Sequence, residues 1–419
     1  MLKTPIARGV ALATLGATLA IPSMAQAAFI EDTKASLELR NFYYNRDYRQ
    51  DGAPQSKQDE WAQGFLLRIE SGFTEGPVGF GVDAIGLLGV KLDSSPDRTG
   101  TGILPVDTSG GAPDDYSELG LTAKAKVSKS ILKVGTLHLK NPAIATSDSR
   151  LLPSVMRGAQ LVSNEIDGLT LDLGYVDQIN NRNSTNYEDM IVNGASAADK
   201  NITGATESDE FVYLGGTYKV TKDLSASYYY SNLEDIYKQH ALNLIHVLPI
   251  SEDQSLKTDL RYQRSTDDGN TNVDNKAFGA MVTYSLSGHS FGLGYQKMSG
   301  DTGFAYVGGN IDPYLVNFVQ IGDFGKADEK SWQARYDFNF ASIGIPGLSF
   351  MTRYISGDDF GPGGDGKEWE RDTDIGYTFQ EGALKNLNLK WRNATFRTSG
   401  AGNDMDENRL IVSYTIPLM

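Results

Sequence analysis

The sequence predicts an all-β chain that closes into a transmembrane antiparallel β-barrel. Apolar residues recur at every second position, and the pattern continues to the last segment, where Leu410, Val412 and Ile416 share one face. The loops between these segments are rich in Gly, Asp, Asn and Ser and are alternately short and long. A closed barrel satisfies every strand's backbone hydrogen bonds in lipid, with short turns on one side and long loops on the other.

The first residues have the features of a secretory signal. Lys3 and Arg8 flank the start of a small apolar stretch, and Ala25 and Ala27 supply a small-residue cleavage site. We expect residues 1–27 to be a signal peptide and residues 28–419 to form one barrel domain. An uncleaved membrane helix is the alternative, but the apolar run is short for it. At roughly 20 to 22 residues per strand and loop, the remaining chain fits about 16 to 20 strands.

The strands follow in order along the chain. Outward apolar residues alternate with polar or small ones in four well-defined segments, which lie at 65–70, 121–127, 332–340 and 387–392. The short turns include 221–224, 287–289 and 381–386, whereas 93–115 and 177–208 are long polar loops. A soluble periplasmic sandwich has the same period, but charges on the polar faces and aromatic residues on the apolar faces favour a lipid-facing barrel.

Composition excludes several functions. The chain carries 53 acidic against 38 basic residues, so it is not a nucleic-acid binder, and it has no Cys for disulfides or thiolate metal sites. The four His residues do not form an HExxH motif, and neither a nucleophile elbow nor a P-loop is present. We therefore predict no catalytic residues, no metal and no cofactor, although a Ser/His/Asp site built from distant residues stays open.

Basic residues on the polar faces are the candidate solute-binding groups. Parity places five of them opposite the lipid-facing residues, and hence in the lumen: Arg335, Arg353, Lys390, Arg392 and Arg409. Guanidinium can bind a carboxylate through two parallel hydrogen bonds, and a row of such groups passes an anion along without deep trapping. The alternative for each is a solvated loop charge or a wall charge paired with an acid.

Sequence blocks along the chain resemble the outer-membrane porin D (OprD-like) family. They are LRNFYYNRDY (39–48), EWAQGF (60–65), TGTGILP (99–105), SRLLP (149–153), SLKTDLRY (255–262), NFVQIGDF (317–324), PGLSFMTRY (346–354) and KNLNLKWRN (385–393). The resemblance implies a barrel of about 18 strands, narrowed by inward-folded constriction loops, in the outer membrane of a Gram-negative bacterium. It also implies passive uptake of small carboxylates along a ladder of basic side chains, with a homotrimer as one possible assembly.

The resemblance also assigns residues to the ladder and to the constriction. Arg392 and Arg409 match the ladder best. Residues 141–158 match the constriction loop. Residues 314–324 are a candidate for a second, opposing wall, because Phe318 and Phe324 would suit a ring-bearing substrate, with packing or a girdle as the alternative. The remaining matched positions are Arg49, Arg150, Arg157 and Arg182, and the candidates for additional hydrogen bonds at the narrow point are Ser147, Asp148 and Ser149.

Residues 28–35 and 141–157 are most similar to the subgroup that takes up aromatic acids such as benzoate and vanillate. The expected partners are therefore small carboxylate solutes, outer-membrane lipid and lipopolysaccharide. Three alternatives stay open at this point: a porin for basic amino acids or peptides, a barrel-type outer-membrane hydrolase, and a general diffusion barrel without a preferred solute.

Overall fold

The computed structural model describes residues 29–50, 53, 55–193, 200–400 and 402–419. The predicted signal segment, 1–27, lies outside the described residues. Among the residues that are described, no helix is long and apolar enough to cross a membrane. Two short 3₁₀ helices, Phe340–Ile343 and Gly382–Leu384, are part of connections between strands.

The described chain folds into a closed antiparallel barrel of 18 strands. Each strand pairs with the next along the chain, β7 and β8 across a long loop, and β18 pairs with β1 to close the barrel. In this register Leu39 lies opposite Tyr414. The strands are β1 Lys34–Tyr48, β2 Lys57–Glu70, β3 Gly79–Asp93, β4 Asp115–Val127, β5 Ser130–Leu137, β6 Val155–Ser163, β7 Leu169–Asn180, β8 Phe211–Lys219, β9 Leu224–Leu233, β10 Tyr237–Ser251, β11 Gln254–Asp267, β12 Asp274–Leu286, β13 His289–Ser299, β14 Lys330–Asn339, β15 Leu348–Phe360, β16 Gly366–Thr378, β17 Asn388–Thr398 and β18 Met405–Pro417.

The two faces of each strand differ in the way that the sequence pattern predicts. In β4, Leu119 and Leu121 point outward and are exposed, whereas Thr122 and Lys124 point inward and are buried. In β14, Trp332 is exposed and Gln333 is buried. Because side chains alternate across a strand, the apolar residues form the lipid-facing surface and the polar residues face the lumen.

The connections have unequal lengths at the two ends of the barrel. The first and last strands have their outer chain ends, near Ala35 and Leu418, on the side of the short turns, where the Leu418 amide donates to the Ala35 carbonyl at 2.8 Å. The long loops, 94–114, 138–154, 181–210 and 300–329, all leave the opposite end. Short turns are typical of the periplasmic side and long loops of the outer side.

Two of the long loops fold back into the barrel, as expected. We call residues 138–154 loop I and residues 300–329 loop II. Loop I passes close to the wall at Gly64 of β2, where an added Cβ would lie 3.2 Å from Leu151. Loop II passes close to Gly279 of β12, where an added Cβ would lie 3.0 Å from Val316. Glycine at these inward positions therefore lets the loops approach the strands.

The buried core lies inside the outer half of the barrel. One apolar cluster joins loop I and loop II to inward side chains of β6 to β10, and includes Ile144, Val307 and Tyr237. A second joins loop I to β1 and β2, and includes Leu151 and Phe42. Burial of these side chains fixes the loops inside the barrel, and the loops in turn shape the pore.

Candidate functional site

Loop I crosses the lumen between the β1–β2 wall and loop II. At one end Arg40 of β1 donates to Asp148 at 2.7 Å and to the Arg150 carbonyl at 2.9 Å. At the other end the Ser154 hydroxyl donates to the Asn310 carbonyl at 2.7 Å. The Ser147 amide donates to the same carbonyl at 3.0 Å. Loop I is thus held to the wall on one side and to loop II on the other.

Loop II is held to the opposite wall by buried carboxylates on β16 and β18. Glu370 accepts hydrogen bonds from the Ile321 and Gly322 amides at 2.9 and 2.7 Å. Glu407 accepts one from the Gln320 side chain at 2.9 Å. The inward face of these strands carries acids because their carboxylates accept hydrogen bonds from the backbone and side-chain amides of the loop.

Arg409 connects the two loops to the wall. Its guanidinium lies within hydrogen-bond distance of the Ser149 carbonyl of loop I, at 3.5 Å, and of the Gln320 carbonyl of loop II, at 3.3 Å. Only 1% of its side chain is exposed, and it forms an ion pair with Glu407. Arg409 therefore lies at the predicted place on the inward face, but as a buried anchor.

A group of cations surrounds this anchor. The guanidinium carbons of Arg150 and Arg409 lie 5.2 and 5.3 Å from the centre of the Tyr44 ring, and that of Arg46 lies 5.5 Å from it. Arg46 also pairs with Glu407 at 2.7 Å. One carboxylate, Glu407, is thus shared between Arg46 and Arg409, so the group of cations around it keeps a net positive charge.

Arg150 and Arg182 have no acidic partner within 4.0 Å among the described residues. The Arg150 guanidinium donates to the Thr101 carbonyl at 3.2 Å, and Arg182 donates to the Ser149 hydroxyl at 3.3 Å. Burial and the charges of Arg409 and Arg182 lower the pKa of Arg150 well below its ordinary value. Burial and the charge of Arg409 lower the pKa of Arg182 to about 10. Both shifts express the cost of concentrating positive charge, which an anion bound here would reduce.

An acid of loop II acts on the same group. Asp312 lies close enough to Arg182 and Arg150 for their charges to favour its ionised form, but burial outweighs this effect and raises its pKa. Its backbone amide donates to the Ala145 carbonyl at 2.8 Å, which links loop II to loop I a second time.

A row of basic residues continues from Arg409 toward the periplasmic end. Arg392 lies directly opposite Arg409 in the strand register, and Lys390 follows two residues below it. The bases of this part of the wall are paired with acids: Arg335 with Asp337 at 2.7 Å, Arg353 with Asp372 at 2.7 Å, Arg392 with Asp374 at 3.0 Å and Lys390 with Asp374 at 3.8 Å.

The lower part of this row lines a cavity. The cavity has a volume of about 640 Å³, and Arg335, Asp337, Asp374 and Lys390 are on its wall. Lys390 and Arg335 are 41% and 39% exposed, so their charged groups are accessible to a solute in the lumen. Parity therefore identified inward bases correctly, but it could not tell the accessible ones from a buried anchor such as Arg409.

Two predicted site residues do not join the group. Arg157 lies in β6 rather than in the loop before it, and pairs with Asp177 at 2.6 Å on an exposed surface. The alternation of the chain resumes at residue 155, so the predicted loop of 141–158 is too long at its C-terminal end. Arg49 lies at the outer rim, where it pairs with Asp406 at 2.7 Å and remains half exposed.

The other predicted loop residues lie together. The Ser147 and Ser149 hydroxyls are 3.0 Å apart, and Asp148 is held by Arg40 and Arg68. In the second wall, Phe324 is fully buried in a cluster with Val319 and Ile355, so it does not face a solute.

Sequence reasoning missed Arg40, Arg46 and Arg68, which are inward on β1 and β2. Their parity opposite Leu37, Leu39 and Leu67 was a sufficient signal, because it is the same signal that identified Arg392. Among the residues described, no three His, Asp or Glu side chains form a group that could hold a metal ion.

Comparison with known proteins is consistent with this architecture. A family model described as "outer membrane porin, OprD family" matches residues 27–418. Porin D of Pseudomonas aeruginosa is 40% identical, over 93% of this chain and 92% of that protein.

Two crystal structures are similar over their whole length. OpdQ of Pseudomonas aeruginosa is 60% identical with a TM-score of 0.86, over 94% of this chain and 100% of that one. A BenF-like porin of Pseudomonas fluorescens is 39% identical with a TM-score of 0.89, over 93% of this chain and 100% of that one.

Proposed function

This chain belongs to the OprD family of outer-membrane porins, and on that basis we propose that it is a substrate-selective channel for small carboxylates, with aromatic acids such as benzoate or vanillate as its preferred solutes. Transport is passive: the solute enters from the outer side, passes the part of the lumen that loops I and II narrow, and leaves through the periplasmic vestibule.

The observation that carries the proposal is the pair Arg150 and Arg182, which no acid neutralises within 4.0 Å in the described part of the chain. A carboxylate that enters the pore loses part of its hydration, and guanidinium groups replace it with charge-assisted hydrogen bonds. The repulsion among Arg150, Arg182 and Arg409 is relieved when an anion binds, so the site favours anions over neutral solutes.

The row below the constriction provides the next positions for the anion. Each base of this row is paired with an acid: Arg392 and Lys390 share Asp374, and Arg335 pairs with Asp337. The attraction that each base exerts on a solute is therefore moderate. Moderate attraction at successive sites allows a solute to enter without being trapped, which rapid passive transport requires.

Three observations support the preference for aromatic acids. Residues 28–35 and 141–157 are similar to the subgroup that takes up such acids, and one of the similar solved structures is named a BenF-like porin. A ring-bearing solute also suits an aromatic face near a cation, such as the partly exposed Tyr314 beside Arg261.

One observation favours a second candidate, a porin for basic amino acids. Asp148 on loop I is 36% exposed, and an accessible carboxylate beside the constriction could hold an ammonium or guanidinium group of a solute. The two candidates differ in the charge that the solute must carry besides its carboxylate.

The test is uptake into proteoliposomes that contain the purified mature chain. Labelled benzoate and labelled arginine are compared, each with and without unlabelled competitor, for the wild type, Arg182→Gln and Arg157→Gln. Loss of one charge-assisted hydrogen bond should weaken benzoate binding about tenfold or more in Arg182→Gln. Arg157→Gln is the matched control, because it removes the same charge from an exposed residue outside the constriction.

Saturable benzoate uptake that is weakened only in Arg182→Gln supports the aromatic-acid channel. Faster uptake of arginine than of benzoate would move the chain to the basic amino-acid candidate. Equal and unsaturable leakage of both solutes in all three proteins would contradict any role for the arginines in selection.

A further inference from the structure

We propose that the outer face of β11 to β14 binds the phosphate groups of lipopolysaccharide through a row of four basic side chains. The row consists of Arg264, Lys276, Lys297 and Lys330, one from each strand, and is independent of the lumenal site.

The strand register brings these four residues side by side. Arg264 lies directly opposite Lys276, and Lys297 lies directly opposite Lys330. Lys276 is opposite Ser299 and therefore diagonal to Lys297. All four share the outward parity of exposed apolar residues on their own strands, such as Tyr262 and Leu293. With strands about 4.8 Å apart, the row spans roughly 15 Å of the barrel surface.

Like charges placed directly opposite each other on one face of a sheet repel and destabilise the pairing. At the ends of the row, Asp274 contacts Arg264 and Asp359 lies 2.5 Å from Lys330. The two central lysines, Lys276 and Lys297, are exposed and have no acid within 4.0 Å among the described residues. An anionic partner outside the chain would neutralise the positive charges of these two lysines.

A second row fixes the level of the basic row in the membrane. On each strand, the next outward residue toward the periplasmic side is aromatic: Tyr262, Phe278, Tyr295 and Trp332, each 40% to 48% exposed. These aromatic residues are also neighbours in the register, Tyr262 with Phe278 and Tyr295 with Trp332. Aromatic girdles mark the boundary between hydrocarbon and headgroups, so the basic row just outside lies at the level of the outer-leaflet headgroups.

The outer leaflet determines the partner. Its lipid is a glycolipid whose headgroup carries phosphate monoesters, and a row of several cations at headgroup level matches more than one phosphate. Basic residues near the outer ends of several other strands are paired with acids, as Arg157 is with Asp177, Lys238 with Asp268 and Arg397 with Asp406. Charge complementarity therefore selects β11 to β14 as the side of the barrel that holds a lipopolysaccharide molecule.

The test is native mass spectrometry of the full-length mature chain in detergent, titrated with bis-phosphorylated lipid A. We compare the wild type, the double variant Lys276→Gln/Lys297→Gln and the charge-matched control Lys222→Gln/Lys385→Gln, whose lysines are in periplasmic turns. Since each lysine near an anionic lipid surface contributes roughly a fivefold increase in affinity, the double variant should bind about thirtyfold more weakly, and the control should be unchanged.

Two further arms separate the alternatives. Lys276→Arg/Lys297→Arg should retain the wild-type affinity, because it keeps the charges and the fold. Lipid A without phosphates, or phosphatidylglycerol, should bind more weakly than bis-phosphorylated lipid A. The proposal is overturned if the double variant binds like the wild type, if either comparison lipid binds equally well, or if the variant loses only association between copies of the chain.

Discussion

Arg409 and Glu407 form a buried ion pair on the inward face of the last strand, with Arg409 Nε 2.5 Å from Glu407 Oε1. The same carboxylate accepts hydrogen bonds from Tyr44 and from the Gln320 side chain of loop II. The pair therefore connects the seam between β18 and β1 to the loop that narrows the pore.

We expect Glu407→Gln to destabilise the barrel. The substitution leaves the buried Arg409 without an opposite charge, and removing one partner of a buried pair typically costs about 3–5 kcal/mol. The matched control is Asp406→Asn, since Asp406 is the preceding residue and its pairs with Arg49 and Arg397 are partly exposed, a setting that contributes about 0–1 kcal/mol. Unfolding temperature, read from heat-modified gel mobility, is the measurement, and an equal decrease in both variants would contradict a special role for Glu407.

The sequence predicted the barrel because membrane strands leave a two-residue period that survives in every segment. The same parity located Arg335, Arg353, Lys390, Arg392 and Arg409 on the inward face. It could not predict that Arg409 is buried, because its burial depends on loops I and II, whose path through the lumen has no period.

The loop boundary was wrong for a related reason. Residues 155–158 are Val, Met, Arg and Gly, with two apolar residues in succession and a register shift between Arg157 and Gly158, so their alternation is interrupted and they resemble a loop in sequence. Hydrogen bonding to β5 and β7, which sequence does not encode locally, makes them a strand.

Arg392→Ala should reduce anion selectivity without affecting the fold. Asp374 keeps Lys390 as a partner at 3.8 Å, so no buried charge is left alone. One unit charge at about 8 Å in water is worth roughly 0.5 kcal/mol, with opposite sign for an anion and a cation, so the permeability ratio of anion to cation should fall about fivefold. The reversal potential in a KCl gradient measures this ratio.

Arg371→Ala is the control for that experiment. Arg371 is on β16, next to β17, but its side chain bonds to Asn393 and Thr395 on the exposed outer face. The same loss of charge on the lipid side should leave the reversal potential unchanged. If both variants shift it equally, total charge rather than the inward position of Arg392 sets the selectivity.

The attachment of loop II should weaken as pH rises. Burial and the charge of Glu368 raise the pKa of Glu329 well above the ordinary carboxyl value, whereas Lys326 acts in the opposite direction. A carboxyl whose pKa is raised on folding stabilises the structure at low pH, and this contribution is lost as pH rises through the raised pKa. Hydrogen exchange of loop II amides, corrected for intrinsic rates, should therefore be slower at pH 5 than at pH 8.

Glu329→Gln keeps the shape of the side chain and remains neutral throughout this range. Its loop II should exchange at the same corrected rate at both pH values. A pH dependence in the variant equal to that of the wild type would assign the effect to another carboxyl group of loop II whose pKa burial raises, such as Asp312.

Thr146→Cys/Ile311→Cys should form a disulfide that locks loop I to loop II. The two residues are partners in an antiparallel bridge, and the flanking bonds, from the Ser147 amide to the Asn310 carbonyl and from the Asp312 amide to the Ala145 carbonyl, make them a non-hydrogen-bonded pair. Such pairs have Cα atoms about 4.5 Å apart, within the range that a disulfide spans. The chain has no Cys of its own, so the two introduced thiols can pair only with each other within one molecule.

We expect the oxidised double variant to take up benzoate at the wild-type rate, because loops I and II are already joined by three hydrogen bonds and the pore does not require them to separate. Closing a loop of more than 100 residues should stabilise the fold by about 5 kcal/mol on the chain-entropy model. The reduced double variant is the control for the loss of the Thr146 hydroxyl, which bonds to His138 and to the Leu139 carbonyl. Uptake that stops on oxidation and returns on reduction would instead show that loops I and II must part for a solute to pass.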